Sequence, residues 1–273
     1  MVLHTILSIL SFLTAGIIYY FTGMYNTWYL YTLLIIIIPI LYVVFFGLYV
    51  LIVYLTTFIM KSDKETKKPR AFFYFMVRQT AIELTIILNS KIYKTGLEKL
   101  PTERCLIVSN HQSIFDPMVA MKYAKNQPLI CISKPENFKL PICGKYIHKA
   151  GFIPVNRDND FEAIKSITKA TKFIKDDLAS IYICPEGTRS PNEDKLLEFQ
   201  AGSFKIAYKA KCPIVITSMA NTKNIRKYSP FKRTKVYFDV LEVLNYEDYK
   251  DKTTVEIAKY SQELIENKLK ERK

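Results

Sequence analysis

The sequence predicts an α/β domain behind an apolar helical anchor, and three observations carry that prediction. Residues 1 to 60 contain no Asp, Glu, Lys or Arg. At the chain-wide 23% charged, sixty residues should hold about fourteen such side chains, so this stretch suits lipid. Beyond residue 60, short apolar runs alternate with helical stretches, which is the strand-helix alternation of an α/β domain. The whole net charge of +14 then falls on the remaining 213 residues, enough for one well-packed domain with a basic surface.

The anchor comes first. Apolar stretches run from Val2 to Phe21 and from Trp28 to Met60, separated by Thr22 to Thr27. The first matches the ~20 residues of a spanning helix, while the second exceeds one untilted span and falls short of two. Pro39 and Gly47 are its kink sites, and Tyr19, Tyr20, Tyr25, Trp28 and Tyr29 cluster where rings sit at headgroup level. A helical hairpin over residues 1–60 follows, either spanning the bilayer or dipping into one leaflet. A signal peptide is not expected, because neither a basic start nor a small-residue cleavage site is present.

Lys61 to Arg70 sets five basic residues against two acidic, which by the positive-inside rule places this linker, and the domain after it, on the cytoplasmic face of the cell membrane. Ala71 to Asn89 has a helical pattern that suits either the membrane surface or the edge of a soluble core. Residues 61–90 are thus a basic linker with a membrane-proximal helix, and 91–273 form the main domain. Its strand candidates are Cys105 to Val108, Leu129 to Ser133, Gly151 to Val155, Ile181 to Cys184, Ile214 to Met219 and Val236 to Leu244. Its helix candidates are Pro117 to Ala124, Phe161 to Asp176, Ser203 to Ala210 and Thr254 to Lys270.

A basic domain on an apolar segment faces an anionic membrane surface and phosphate-bearing substrates. Nucleic acid is not expected as a partner, since no stacking motif, zinc spacing or basic helix is visible. The five cysteines never form Cys-x-x-Cys and read as reduced thiols. With the histidines limited to His4, His111 and His148, no metal site is expected.

His4 lies in the apolar stretch and His148 in a presumed helix, so His111 is the base to consider at neutral pH. It follows the run Cys105-Leu106-Ile107-Val108, where a strand gives way to a loop. Asp116 stands five residues on, followed by Pro117; on an ideal helix the two side chains would not share a face, whereas a turn between them can bring carboxylate and imidazole together. Asp-Pro also reads as a helix start with Asp as N-cap, and one carboxylate can serve both purposes.

Asn110-His111 with Asp116-Pro117 resembles the His-x4-Asp box of the glycerolipid acyltransferases, and within them the chain is most similar to the 1-acylglycerol-3-phosphate acyltransferases. Lys134, Pro141, Gly144, Gly151, Ile153, Pro154 and Arg157 resemble the second box, and Pro185 to Ser190 the third. Cys212-Pro213-Ile214-Val215 resembles the fourth, while Phe199, Gly202 and Lys205 match the stretch that trails the third. The similarity spans roughly residues 92 to 220. Cys184 stands where the family often has Phe, and Gln200 where Lys is common.

The resemblance implies a three-layer domain with a mixed sheet and transfer of a fatty acyl group from a thioester, acyl-CoA or acyl carrier protein, to the sn-2 hydroxyl of lysophosphatidic acid. The alternatives are a glycerol-3-phosphate or other lysophospholipid acyltransferase, and a non-catalytic lipid-binding protein. No cofactor is expected beyond the thioester co-substrate. His111 is expected to be the general base, with Asp116 holding its tautomer. Glu186, Gly187, Thr188 and Arg189 are implied to hold the glycerol phosphate, with Arg157 and Lys205 as further cations and Pro213, Ile214 and Val215 at the acyl or donor pocket. A serine-hydrolase route through Ser109 or Ser113 is disfavoured, because no Gly-x-Ser-x-Gly elbow exists.

Overall fold

The structure is a computed structural model that describes residues 2–27, 31–60, 66–124, 128–156, 159–190, 196–229 and 231–272. It divides into two compact units, Met1–Lys64 and Glu65–Lys273. In the first, helix α1 (Val2–Phe21) is followed by a 3-10 turn (Met24–Asn26) and helix α2 (Tyr31–Ile59). They run antiparallel: the His4 ring stacks near Tyr42 and Phe46, and the Tyr19 and Tyr31 rings lie 5.1 Å apart. Residues 31–59 form one uninterrupted helix that contains Pro39, about 44 Å long at 1.5 Å per residue. Apolar side chains cover its outside, with Ile35 75% and Ile59 83% exposed, the surface expected of a helix in lipid. Trp28, Tyr29 and the linker as far as residue 65 lie outside the described residues.

The second unit is built on a seven-stranded mixed sheet. In chain order come α3 (Ala71–Ile87), β1 (Ser90–Thr95), β2 (Leu106–Ser109), α4 (Asp116–Tyr123), β3 (Leu129–Ser133), α5 (Cys143–Ala150), β4 (Ile153–Pro154), α6 (Asp160–Lys175) and β5 (Ser180–Ile183). There follow α7 (Lys205–Ala210), β6 (Ile214–Ala220), α8 (Thr222–Tyr228), β7 (Thr234–Leu244), α9 (Tyr246–Tyr249) and α10 (Thr254–Glu271). The strand order is β1-β7-β6-β2-β5-β3-β4. Strands β2 to β6 are mutually parallel, β7 is antiparallel to β6, and β1 is parallel to β7.

The central strands are apolar throughout because both faces are covered: every residue of β2, β5 and β6 is buried. Helix α3 packs against α4 and α5, α6 against α7, and α10 against β6. The helices therefore sandwich the sheet, an α/β arrangement in three layers. Residues 71–87 are thus part of the domain's helical layer rather than a separate segment. Helix α6 starts at Asn159, whose side-chain oxygen accepts from Phe161 N and Glu162 N, and α10 starts with a Thr253/Glu256 capping box.

Two strands depart from the sequence expectation. The strand expected over Gly151 to Val155 is reduced to Ile153–Pro154, because Pro154 has no N–H to donate and β4 lies at the sheet edge. Strand β1, Ser-Lys-Ile-Tyr-Lys-Thr, was not among the expected strands. It is an edge strand with neither face deeply buried, so it lacks the apolar run that marks the central ones.

Candidate active site

Because β2 is parallel to β3, β4, β5 and β6, their C-terminal ends share one edge of the sheet. His111 lies two residues past the end of β2 at that edge. Asn110 fixes the strand end: its side-chain amide donates to Met219 O at 2.9 Å and its side-chain oxygen accepts from Met219 N at 2.8 Å, extending the β2–β6 pairing by one side chain. The loop then turns back, and Asp116 opens α4.

Asp116 is fully buried and four donors converge on its carboxylate. Oδ2 accepts from His111 Nδ1 at 2.8 Å and from the backbone N–H groups of Gln112 and Ser113 at 2.7 Å each. Oδ1 accepts from the Thr222 hydroxyl. The expected capping role is therefore corrected. The carboxylate reaches back to the N–H groups of the loop before the helix, and α4 has no side-chain cap. With Nδ1 committed to Asp116, Nε2 is the ring atom left for a substrate.

The third box closes on the other side of His111. Glu186 Oε1 accepts from His111 N at 2.6 Å, Glu186 Oε2 from Leu197 N at 2.9 Å, and Ser190 N donates to His111 O at 3.2 Å. Both peptide groups of His111 are thus held by the segment that follows β5. Gly187 makes this possible, since its φ of 80° lies in the left-handed region that a side chain disfavours.

Electrostatics follow from this packing. Burial of the His111 ring opposes the charged form, yet attraction to the Cys184 sulfur and the Asp116 carboxylate outweighs it, and its pKa is pushed up to about 10. The sulfur's charge attraction exists only for the thiolate; with a neutral Cys184 thiol, Asp116 is the charge that remains. Burial also raises the Glu186 carboxyl above its ordinary value, partly offset by the bonds from Leu197 and His111 N–H.

The remaining expected site residues divide. Thr188 and Arg189 are exposed on the loop beside His111, and among the described residues no ion pair engages Arg189. Lys205, also exposed, is the first residue of α7, and no hydrogen bond ties it to the His111 cluster. Arg157 lies outside the described residues. Glu186 is corrected: it is 5% exposed, with both oxygens spent on backbone N–H groups, so it organises the loop and does not face a phosphate.

The fourth box is corrected as well. Ile214 and Val215 are fully buried in β6 and Pro213 is buried beside them. Ile214 pairs with Leu106 at the start of β2, so Pro213–Val215 sit at the opposite edge of the sheet, five residues or roughly 16 Å of strand from His111. They are core, not pocket. Thr222, by contrast, bonds Asp116 from 106 residues away, and no local pattern announced it. Among the described residues, no group of three His, Cys, Asp or Glu side chains is arranged to hold a metal ion.

The chain is similar to known proteins in sequence and in fold. Residues 91–220 match the acyltransferase family model. The 1-acyl-sn-glycerol-3-phosphate acyltransferase of Haemophilus influenzae is 26% identical over 168 residues, which cover 62% of this chain and 69% of that protein. The Helicobacter pylori protein of the same name is 29% identical over 199 residues, covering 64% and 83%. Among solved structures, the 1-acyl-sn-glycerophosphate (LPA) acyltransferase PlsC from Thermotoga maritima shares the fold, with a TM-score of 0.59 at 20% identity over 99% of this chain and 96% of that one. The stretch from β1 to β6, with His111 and Asp116 paired at its strand end, is an acyltransferase-family domain, and the protein that carries it is an acyltransferase.

Proposed function

We propose that this acyltransferase moves a fatty acyl group from acyl-CoA or acyl carrier protein to the sn-2 hydroxyl of 1-acyl-sn-glycerol 3-phosphate, giving phosphatidic acid at the cytoplasmic face of the cell membrane. The observation that carries the proposal is the junction of the first and third boxes. One short loop presents His111 Nε2, and the same residue's peptide groups bind the segment that bears Arg189. A base and a guanidinium side by side suit a hydroxyl near a phosphate. The name shared by the relatives supports the same acceptor.

Nε2 takes the hydroxyl proton as that oxygen attacks the thioester carbonyl, and Asp116 steadies the imidazolium that forms. Collapse of the tetrahedral centre breaks the carbon–sulfur bond, and the imidazolium returns its proton to the leaving thiolate. No covalent acyl-enzyme and no cofactor beyond the donor is needed. Such base catalysis contributes roughly 10²- to 10⁴-fold, so positioning must supply the rest, which is where the Glu186 and Asn110 bonds enter. Arg189 offers the phosphate a planar fork of donors.

Purified full chain in vesicles, given 1-acylglycerol 3-phosphate, glycerol 3-phosphate and zwitterionic lysophospholipids with each donor in turn, tests the proposal. Phosphatidic acid should form fastest from the first acceptor. Faster turnover of glycerol 3-phosphate would replace the acceptor, and absence of any acyl transfer would reject the reading altogether.

A further inference from the structure

The strand directions gather more at the His111 edge than the active site. Strands β2 to β6 end there; β7 runs the other way and so begins there, and β1, parallel to β7, begins there too. The end of α3 therefore lies at this edge, as do the connections after β2, β3 and β4 and the turn between α8 and β7. Each carries an exposed large apolar side chain: Ile86 49%, Ile114 53%, Leu140 49%, Phe161 65% and Phe231 96% exposed. Single exposed apolar residues are ordinary, but five on five separate connections at one edge form a fringe.

Phe231 is the extreme case. Its turn is closed by Lys232 N donating to Tyr228 O at 2.9 Å, which leaves the ring projecting into solvent. The ammonium groups of Lys227 and Lys232 gather over the Tyr228 ring at 5.3 and 5.0 Å, and Arg233 follows directly. Among the described residues, this aromatic tip ringed by cations is left without a packing partner. It matches the boundary of an anionic bilayer, where rings enter the acyl region and ammonium groups stay with the headgroups.

We propose that the His111 edge is a bilayer-docking face in its own right, with Phe231 inserted below the headgroups and Lys227 and Lys232 on anionic lipid, in addition to the helical anchor. The occupant is the membrane rather than a protein, because the fringe pairs apolar tips with residues 61–273, which carry the whole net charge of +14. Docking this edge brings Ile114, three residues from His111, to the lipid surface, so a lysophospholipid can pass from the bilayer to the base without crossing bulk water. That consequence rests on the acceptor proposed above; the docking itself does not.

Trp28 is the only tryptophan, so Trp28→Phe gives a silent full-length background for a reporter at the turn. Phe231→Trp in that background, in vesicles containing phosphatidylglycerol, should lose roughly two-fold or more of its emission when the acyl chains are brominated. Val255→Trp, on the first turn of α10 beyond the opposite edge, is 64% exposed in the native side chain and should not respond. No quenching at the first position, or equal quenching at both, overturns the proposal. Emission already shielded in detergent and indifferent to bromine overturns it too, and assigns the turn to a protein contact. Acyl transfer measured on the same samples checks folding and separates this result from the choice of acceptor: a wrong acceptor leaves the quenching intact.

Discussion

Asp116 shows how a single buried carboxylate defines the chemistry of its neighbour. Its bonds to Gln112 N and Ser113 N shape the loop, and the Thr222 hydroxyl holds the second oxygen, so the imidazole meets a partner that cannot rotate away. His111→Ala should lower turnover by at least ~10² while acceptor binding survives, measured by steady-state kinetics on protein whose fold is checked by circular dichroism. The base works when neutral, so activity should rise with pH as His111 loses its proton. Because the pKa is pushed up to about 10, this rise should lie above the ordinary histidine value of 6.5. Asp116→Asn should move the rise to lower pH and reduce its plateau; a profile that does not move would show that the carboxylate does not tune the ring. The same shift acts on stability. With the folded pKa above the unfolded one, His111 contributes stability that is complete below about 6.5 and is lost as pH rises toward about 10. The melting-temperature gap between the wild type and His111→Ala should therefore close over that window.

At the scale of elements, parallel pairing decides which boxes meet. The ends of β2 and β5 are neighbours, so the first and third boxes touch, and the end of β6 delivers Thr222 to the same place. The beginning of β6 cannot join them, because it lies a strand length away. Ile214→Ala should therefore cost about 2–5 kcal/mol of stability, seen as a lower melting temperature, and leave acyl-chain preference unchanged. A changed chain-length profile at unchanged stability would return the fourth box to the acyl pocket. On the loop, Arg189→Ala should raise KM for the phosphorylated acceptor more than it lowers kcat, and Arg189→Lys should restore only part, since a point charge lacks the bidentate fork. Equal kinetics in Arg189→Ala would turn attention to Arg157 and Lys205. The second box has a structural reason of its own: a Cβ at Gly144 would meet Phe138 O at 2.2 Å, so this glycine lets α5 start against the preceding turn.

For the whole molecule, cysteine labelling reads the membrane topology. With the linker cytoplasmic, Ser62→Cys in a cysteine-free background should resist an impermeant thiol reagent in intact cells and react once they are permeabilised. Asn26→Cys then separates the two anchors: reaction from outside means a full span, whereas protection from both sides means a hairpin within one leaflet. Reaction of Ser62→Cys in intact cells would invert the orientation of the enzyme.

By itself the sequence determined the apolar N-terminal segment and the α/β class, and together with the family resemblance it pointed to the pairing of His111 with Asp116. These depend on composition, on periodicity and on residues close in the chain, where local chemistry leaves little choice. What it left undecided depends on long-range pairing. Thr222 reaches Asp116 only because β6 lies beside β2, and Glu186 turns inward because β5 lies on the other flank of β2. The same register sends Pro213 to Val215 to the far edge, although their motif stands in sequence beside the others. A motif records which residues occur, but strand direction determines which ends of the strands share an edge, and only the folded sheet sets that.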